Sequence, residues 1–593
     1  MSLWGPRVSA DGATLFRLWA PDRDAVTLEI DGAAPVAMRA RDGGWFEADA
    51  TAPAGTRYRF RLDADLAVPD PASRLQSGGV HGWSVVVPTP FVPSAVEAQS
   101  DASSISPSTS LGTNGVGAGP WQGRPWEEAV IQEVHVGVLG GYAGVAEALP
   151  ALAELGITAI ELMPVAAFAG SRNWGYDGVL PFAPAEAYGS PHDLRALVDR
   201  AHEHGLMILL DVVYNHFGPD GNYLGAYAGD FFHADRDTPW GGAVAVDRPE
   251  VAAYFVENAL MWIADYGFDG LRFDAVHAIG NTAFLDRMAA EIRAHVAPER
   301  HVHLVLENES NDAARLGDDG FDAQWNDDFH NVLHVLLTGE REGYYADFAE
   351  GTTEKLARCL GEGFIYQGEG MPHQDGRPRG TPSAHLPPTA FVAFLQNHDQ
   401  IGNRALGERL TTLVAPERLA AATALLLLCP QIPLLFMGDE AGSQTPFYFF
   451  TDFDDALADI VRDGRRREFA HFEAFSSESA RETIPDPNAH ETFAASRPIP
   501  HDEAVRWREL YRELLALRHT AIVPRLRGAT ADGAEVLGEG AVQAVWTLGD
   551  GAVLTLAINL GTEPVSVRSD TPLYAIGTPG APASFAAWIK DAA

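Results

Sequence analysis

The stretch LMILLDVVYNH, residues 206–216, decides the fold. Its five leading residues are all apolar, and they run directly into the carboxylate of Asp211. A strand with one wet face alternates apolar and polar residues, whereas a uniformly apolar run is buried on both faces, as in a parallel sheet covered by helices. A helical pattern, PEVAAYFVENALMWIADYG (249–267), follows it. Working outward, the same pairing recurs. Upstream, VIQEVHVG precedes GVAEALPALAELG, and AIELMPV precedes PHDLRALVDRAHEHG. Downstream, GLRFDA leads to NTAFLDRMAAEIRAH, HLVLEN to a weakly marked segment, and FDAQWN to FHNVLHVLLTGE. FVAFLQNHD then leads to ERLAAATALLLL, and IPLLFMGDE to EAVRWRELYRELLALRH. Eight strand–helix units predict an α/β chain closed as a (β/α)8 TIM barrel rather than an open doubly wound sheet.

The flanks read differently. Residues 1–93 carry short strands (FRLWAP, VTLEID, WFEADA, RYRFRL) separated by Gly, Pro and Asp turns, the pattern of a β-sandwich. Residues 94–120 are a Ser/Gly-rich linker or insertion. The catalytic barrel is expected over 121–520, and a small antiparallel β domain over 521–593, from AVQAVWTL, AVLTLAINL, PVSVRS and PLYAIG.

Lys and Arg number 42 against 81 Asp and Glu, a formal charge of −39. Such a field repels phosphate backbones and anionic membranes, so neither nucleic acid nor membrane is expected as a partner. No window is apolar enough to span a bilayer, and the N-terminus lacks a basic flank followed by an apolar stretch, so a cytoplasmic protein is expected. The two cysteines, Cys359 and Cys429, are too few for a disulfide framework.

A TIM barrel places its chemistry at the C-terminal ends of its strands. Strand three ends on Asp211, Asn215 and His216, strand four on Arg272, Asp274 and His277, strand five on Glu307 and Glu309, and strand seven on His398 and Asp399. Strand two is followed by Arg172, Trp174, Tyr176 and Asp177. Alone, each is ordinarily a helix cap, a turn residue or a satisfied core group. Together, several carboxylates, two histidines and an arginine converge on one pit. Glycosidic cleavage needs such a set: a protonated acid on the leaving oxygen and an ionised carboxylate facing the anomeric carbon. Arg272 lies two residues before Asp274, on the same side of the strand, and keeps Asp274 ionised as a nucleophile. Glu307 closes a very apolar strand, where desolvation favours a general acid. Glu309 has the same parity and competes for that role. Trp325, between Gln324 and Asn326, is either a core residue or a stacking platform for a sugar. Tyr176, in the Gly-containing loop NWGYDG, is the better candidate for a sugar-facing ring. Asp220, Asp230, Asp235 and Asp237, after His216, lack the compact alternation of a calcium loop and read as a solvated acidic loop; no metal and no cofactor are expected.

At these residues the sequence resembles the α-amylase family, glycoside hydrolase family 13, through DVVYNH (211–216), GLRFDAVH (270–277), LVLEN (304–308) and FLQNHD (394–399). The resemblance implies Asp274 as nucleophile, Glu307 as proton donor in preference to Glu309, and Asp399 as a third carboxylate that steadies the transition state. It implies that Tyr176, Asp211, Asn215, His216, Arg272, His277 and His398 surround the sugar being cleaved. Within the family, RNWGYDGVLPFAPAEAYGSP, QWNDDFHNVLHVLLTGEREGYYADF and FLQNHDQIGNRALGERL look like members that cut the α-1,4 bond next to the trehalosyl end of a malto-oligosyltrehalose. That likeness implies a substrate made by a separate malto-oligosyltrehalose synthase. It also implies that Trp325, Asp327, Asp328, Phe329, His330 and Asn331 lie on the leaving-group side, and that His398, Gln400, Ile401, Gly402 and Asn403 touch substrate. A branching enzyme or another α-1,4-glucan hydrolase would share the same trio, whereas a catalytically dead glucan-binding barrel would lack one of its members.

Overall fold

A computed structural model describes residues 3–9, 13–87, 121–238, 240–317, 320–499 and 501–592. At its centre, eight parallel strands close a barrel in chain order. These are β1 (Ile131–Val134), β2 (Ala159–Leu162), β3 (Met207–Val212), β4 (Gly270–Phe273), β5 (His303–Leu306), β6 (Ala323–Trp325), β7 (Phe391–Ala393) and β8 (Ile432–Phe436). Every residue of these strands is buried, as the uniformly apolar runs require. Ile131, Ala159, Met207, Leu209, Val305, Val392, Phe394, Ile432 and Leu434 fill the interior with side chains, so the barrel is a packed core and not a pore. Gly270 opens β4 because a Cβ there would stand 2.5 Å from the His303 carbonyl oxygen of β5.

The outer helices are α1 (Gly141–Leu155), α2 (Pro191–Glu203), α3 (Pro249–Leu260), α4 (Thr282–His295), α5 (Asp327–Thr338), α6 (Thr352–Glu362), α7 (Pro416–Leu428) and α8 (Ala504–Leu517). Ser190 and Asp193 start α2 as a reciprocal capping box, with Pro191 in the first turn. The segment after HLVLEN holds a single 3-10 turn, Ala313–Arg315, among the described residues, which accounts for its weak helical signal. Helix α7 is buried almost all round because it is wedged between the barrel and the C-terminal sheet. An excursion with no counterpart in the periodic pattern joins β8 to α8. It carries the helix Asp455–Glu468 and folds over the rim of the barrel.

The four expected N-terminal strands fall at Ala13–Trp19, Thr27–Ile30, Trp45–Thr51 and Arg57–Arg61, within two antiparallel sheets that shorter strands complete. Trp4 packs edge-on against Trp45 on one side and Tyr254 of α3 on the other, joining the sandwich to the barrel. The Ser/Gly-rich stretch 94–120 lies outside the described residues. The C-terminal sheet has five strands and begins at Thr530, later than the expected 521, because the helical backbone of α8 continues in irregular turns to Arg525. PVSVRS is not a strand as expected; Val565 donates its backbone N–H to Gly580 across a loop instead.

Candidate active site

The mouth of the barrel gathers the expected strand-end residues around one buried cation. Arg272 Nη1 donates to Asp211 Oδ2 at 2.7 Å and to Asp274 Oδ1 at 2.8 Å, and Nη2 stands 3.8 Å from Glu307 Oε2. Burial works against its charge, but the carboxylates of Asp211, Asp274 and Glu307 outweigh that effect, so the guanidinium is held firmly protonated. Asn215 Nδ2 donates to Asp274 Oδ2 at 2.8 Å. Both oxygens of Asp274 are therefore oriented by donors, and 13% of its side chain faces the pit.

Glu307 sits one strand over, with 17% of its side chain open. Its Oε2 accepts the backbone N–H of Ala275 at 2.5 Å. Ala275 follows Asp274 directly and adopts a left-handed conformation, φ +40°, so the turn that presents the one carboxylate also anchors the other. Desolvation, helped by the charges of Asp274, Asp327 and Asp399 and opposed by Arg272, raises the Glu307 carboxyl to about 8. A group so placed carries a proton at neutral pH. Glu309 instead turns outward, with 58% of its side chain exposed, toward His277 Nε2 at 3.7 Å. Of the two glutamates, only Glu307 shares Arg272 with Asp274.

Asp399 stands on the rim, 44% exposed. His398 beside it is buried, and its Nδ1 donates to Glu133 of β1. Burial opposes the charge on His398, but Glu133 and Asp399 prevail and lift it to about 9. The Tyr176 ring stacks on this imidazolium at 5.0 Å, and its hydroxyl donates to Asp211 Oδ2 at 2.6 Å. His216 Nε2 donates to the Tyr176 carbonyl at 3.1 Å.

Several other expected contacts lie behind the surface of the pit, whereas Gln400 and Asn403 stay partly or fully exposed. Trp325 offers no face to a sugar: it is buried, and the Arg272 guanidinium covers its ring at 4.1 Å, so it supports the arginine. Asp328 is buried in an ion pair with Arg379 at 3.0 Å and accepts the Ile365 N–H at 2.7 Å. Phe329 and Ile401 are core residues. His330 Nδ1 donates to the Leu395 carbonyl at 2.6 Å, and burial lowers this histidine to about 3, leaving it neutral. Gln400 caps the short helix that carries Asp399, and Asn403 Nδ2 donates to Asp399 Oδ1 at 3.1 Å. Gly402 is obligatory because a Cβ would stand 2.0 Å from the Trp174 ring. Asp327 and Asn331 remain partly open to the pit, as does His277.

Some residues at the pit escaped the sequence reading. Trp240, on the hairpin Phe232–Val244, is half exposed and stacks on His216 at 5.3 Å. Its setting, Thr-Pro-Trp-Gly-Gly, is a turn and not a core context, which was the available signal. Arg465, from the excursion after β8, donates to the carbonyls of Gly402 at 2.6 Å and Arg404 at 3.0 Å and so holds the Asp399 segment from behind. No local pattern announces it.

An eight-stranded barrel with an arginine-oriented carboxylate, a desolvated acid and a third carboxylate at the rim defines a glycoside hydrolase of the α-amylase type. The "Alpha amylase, catalytic domain" family model matches residues 98–237, and a domain of unknown function matches 529–585. Malto-oligosyltrehalose trehalohydrolase of Deinococcus radiodurans is 41% identical over 522 residues, 85% of this chain and 81% of its own length. The enzyme of that name from Mycobacterium tuberculosis is 36% identical over 93% of both chains. A crystal structure of a putative α-amylase from Salmonella typhimurium superposes with a TM-score of 0.89 at 41% identity, covering 99% of this chain and 100% of that one. The chain belongs to the malto-oligosyltrehalose trehalohydrolase family.

Proposed function

We propose that the chain cuts the α-1,4 bond next to the trehalosyl end of malto-oligosyltrehalose, releasing trehalose and a shortened maltodextrin with retention of configuration. The observation that carries the mechanism is the Asp274–Arg272–Glu307 arrangement: one carboxylate clamped by donors, its neighbour desolvated and protonated. In this reading Glu307 gives its proton to O4 of the departing trehalose while Asp274 attacks C1 of the adjoining glucose. A covalent glucosyl ester forms on Asp274, and Glu307, now a carboxylate, takes a proton from water as that water attacks C1 and frees Asp274. Asp399 grips sugar hydroxyls and favours the flattened, oxocarbenium-like ring. Tyr176, stacked on the His398 imidazolium, lies under that ring, with His216 and Asp211 beside it. Trehalose leaves toward Asp327, Asn331 and Asn403. The substrate is supplied by a separate synthase, and the setting is the cytoplasm; no helix among the described residues is long and apolar enough to cross a membrane.

Incubation with malto-oligosyltrehalose and, separately, with maltoheptaose tests this reading. Free trehalose from the first, with little attack on the second, is the expected result. Equal hydrolysis of both would make the chain a general α-glucan hydrolase, and longer branched products would make it a branching enzyme.

A further inference from the structure

Below the catalytic pair, inside the barrel, stands a carboxyl group that the mechanism above does not use. Glu161 lies on β2, in register with Glu133 of β1 and Leu209 of β3. It is fully buried, and neither of its carboxyl oxygens has a hydrogen-bond partner among the described residues. Its neighbours share this condition. Asp211 Oδ1, Arg272 Nε and Nη2, and Trp325 Nε1 are likewise buried without a partner among the described residues. These atoms form one patch of the barrel interior. Asp211 is two residues beyond Leu209 on the same face of β3, Arg272 is in register with Asp211, and the Arg272 guanidinium lies over Trp325. Ordered water commonly bridges carboxyl oxygens and N–H donors that share a protein interior without direct bonds.

Charge counting sets the state of Glu161. The charged groups facing it are Glu133 from β1, Asp211 from β3, Arg272 from β4 and His398 from the turn after β7. His398 is paired with Glu133, and Arg272 with Asp211 and Asp274. An ionised Glu161 would add a negative charge with no cation left to meet it, at a site closed to bulk solvent. As an acid it supplies an O–H donor, the partner that Asp211 Oδ1 needs. Burial, reinforced by Glu133 and Asp211, pushes the Glu161 carboxyl well above the ordinary carboxylate range, in agreement with this count.

We propose that Glu161 is a positioning residue for the hydrolysis: as a neutral acid it donates through an internal water to the free oxygen of Asp211 and accepts, through the same water cluster, from Arg272, fixing the guanidinium that orients Asp274. The proposal rests on the reading of Asp274 as nucleophile. Glutamine has the same shape, is neutral and keeps a donor, whereas methionine fills the space without hydrogen-bonding strongly. The E161Q enzyme keeps kcat within about threefold of the wild type and an unchanged pH profile. The E161M enzyme loses about 10- to 100-fold in kcat with little change in KM, and both limbs of its kcat/KM profile move to higher pH as the Arg272 cation drifts from the two carboxyl groups it serves. Wild-type kcat and profile in E161M would reduce Glu161 to a filler of space. An E161Q enzyme as impaired as E161M would mean that the ionised form is required; either result overturns the proposal. Should E161M fail to fold, infrared difference spectroscopy of wild type against E161Q at neutral pH decides. Bands of acids common to both proteins, Glu307 among them, cancel, so a protonated-carboxyl carbonyl stretch is expected to remain on the wild-type side of the difference spectrum, and its absence overturns the proposal. This spectrum does not depend on activity, so its outcome is separate from that of an Asp274→Asn enzyme, which tests the nucleophile.

Discussion

On the β3–β5 side of the pit, the motif residues point their reactive atoms into the open: Asp274 and Glu307 keep 13% and 17% of their side chains accessible, around the one cation of Arg272. On the β6–β7 side, residues of equally polar motifs turn inward. Asp328 is spent on Arg379 and a backbone N–H, and His330 on the Leu395 carbonyl. Asp327, Asn331, Asp399, Gln400 and Asn403 on that side remain open or partly open. In the proposed function the first side supplies chemistry, and the second mostly holds backbone in place so that a few rim groups can grip sugar. A motif residue's polarity thus says little about its job until its partner is known. A carboxylate paired with a shared, already occupied arginine is poised to react, while one paired with its own arginine is a fastener.

Substitutions on the two sides should separate along that line. Asp274→Asn removes the proposed nucleophile and is expected to cost at least about 10⁴-fold in kcat with the fold intact, measured by trehalose release. Glu307→Gln removes the proposed proton donor and is expected to cost roughly 10²- to 10⁴-fold. In the wild type, because Glu307 must be protonated and titrates at about 8, kcat/KM falls as pH rises through that value, and this alkaline limb is the one that Glu307→Gln abolishes. Asp328→Ala leaves Arg379 buried without its partner and should cost about 3–5 kcal/mol of stability, read from denaturant midpoints. Its kcat, measured where it stays folded, should change far less than in either catalytic variant. A loss as large as that of Asp274→Asn would break the division between the two sides. The smallest effect concerns His398. Its folded value, about 9, is raised above the ordinary 6.5. The Glu133–His398 pair therefore contributes stability that is complete below about 6.5 and fades as pH rises through about 9, by at most about 3 kcal/mol. His398→Asn should flatten that slope in thermal melts across the alkaline range.

The barrel was legible because each strand is a short apolar run closed by a polar residue, and the pit was legible because those closing residues share one end of the barrel. The trio followed from chemistry and resemblance together. The interior was less open to reading. Glu133 and Glu161 stand as single acids within apolar runs, VIQEV and AIELM, and the charged groups that face them, His398 and Asp211, come from other strands. Trp325 looked like a possible sugar platform because its alternation with Gln324 and Asn326 is visible, whereas the arginine covering it is brought in from β4 by barrel closure. Arg465 and Trp240 reach the site from excursions whose local sequence records turns and helices but not their destination. Periodicity reports which face of an element is buried; it does not report which distant group meets it there.

One proton-NMR time course of malto-oligosyltrehalose digestion tests the central claim most directly, since it reads both the bond cut and its stereochemistry. The account predicts that free trehalose appears together with a maltodextrin whose new reducing end is first the α-anomer, reaching its α/β equilibrium only by later mutarotation. A β-anomer formed first, or shortened chains formed without trehalose, would contradict it.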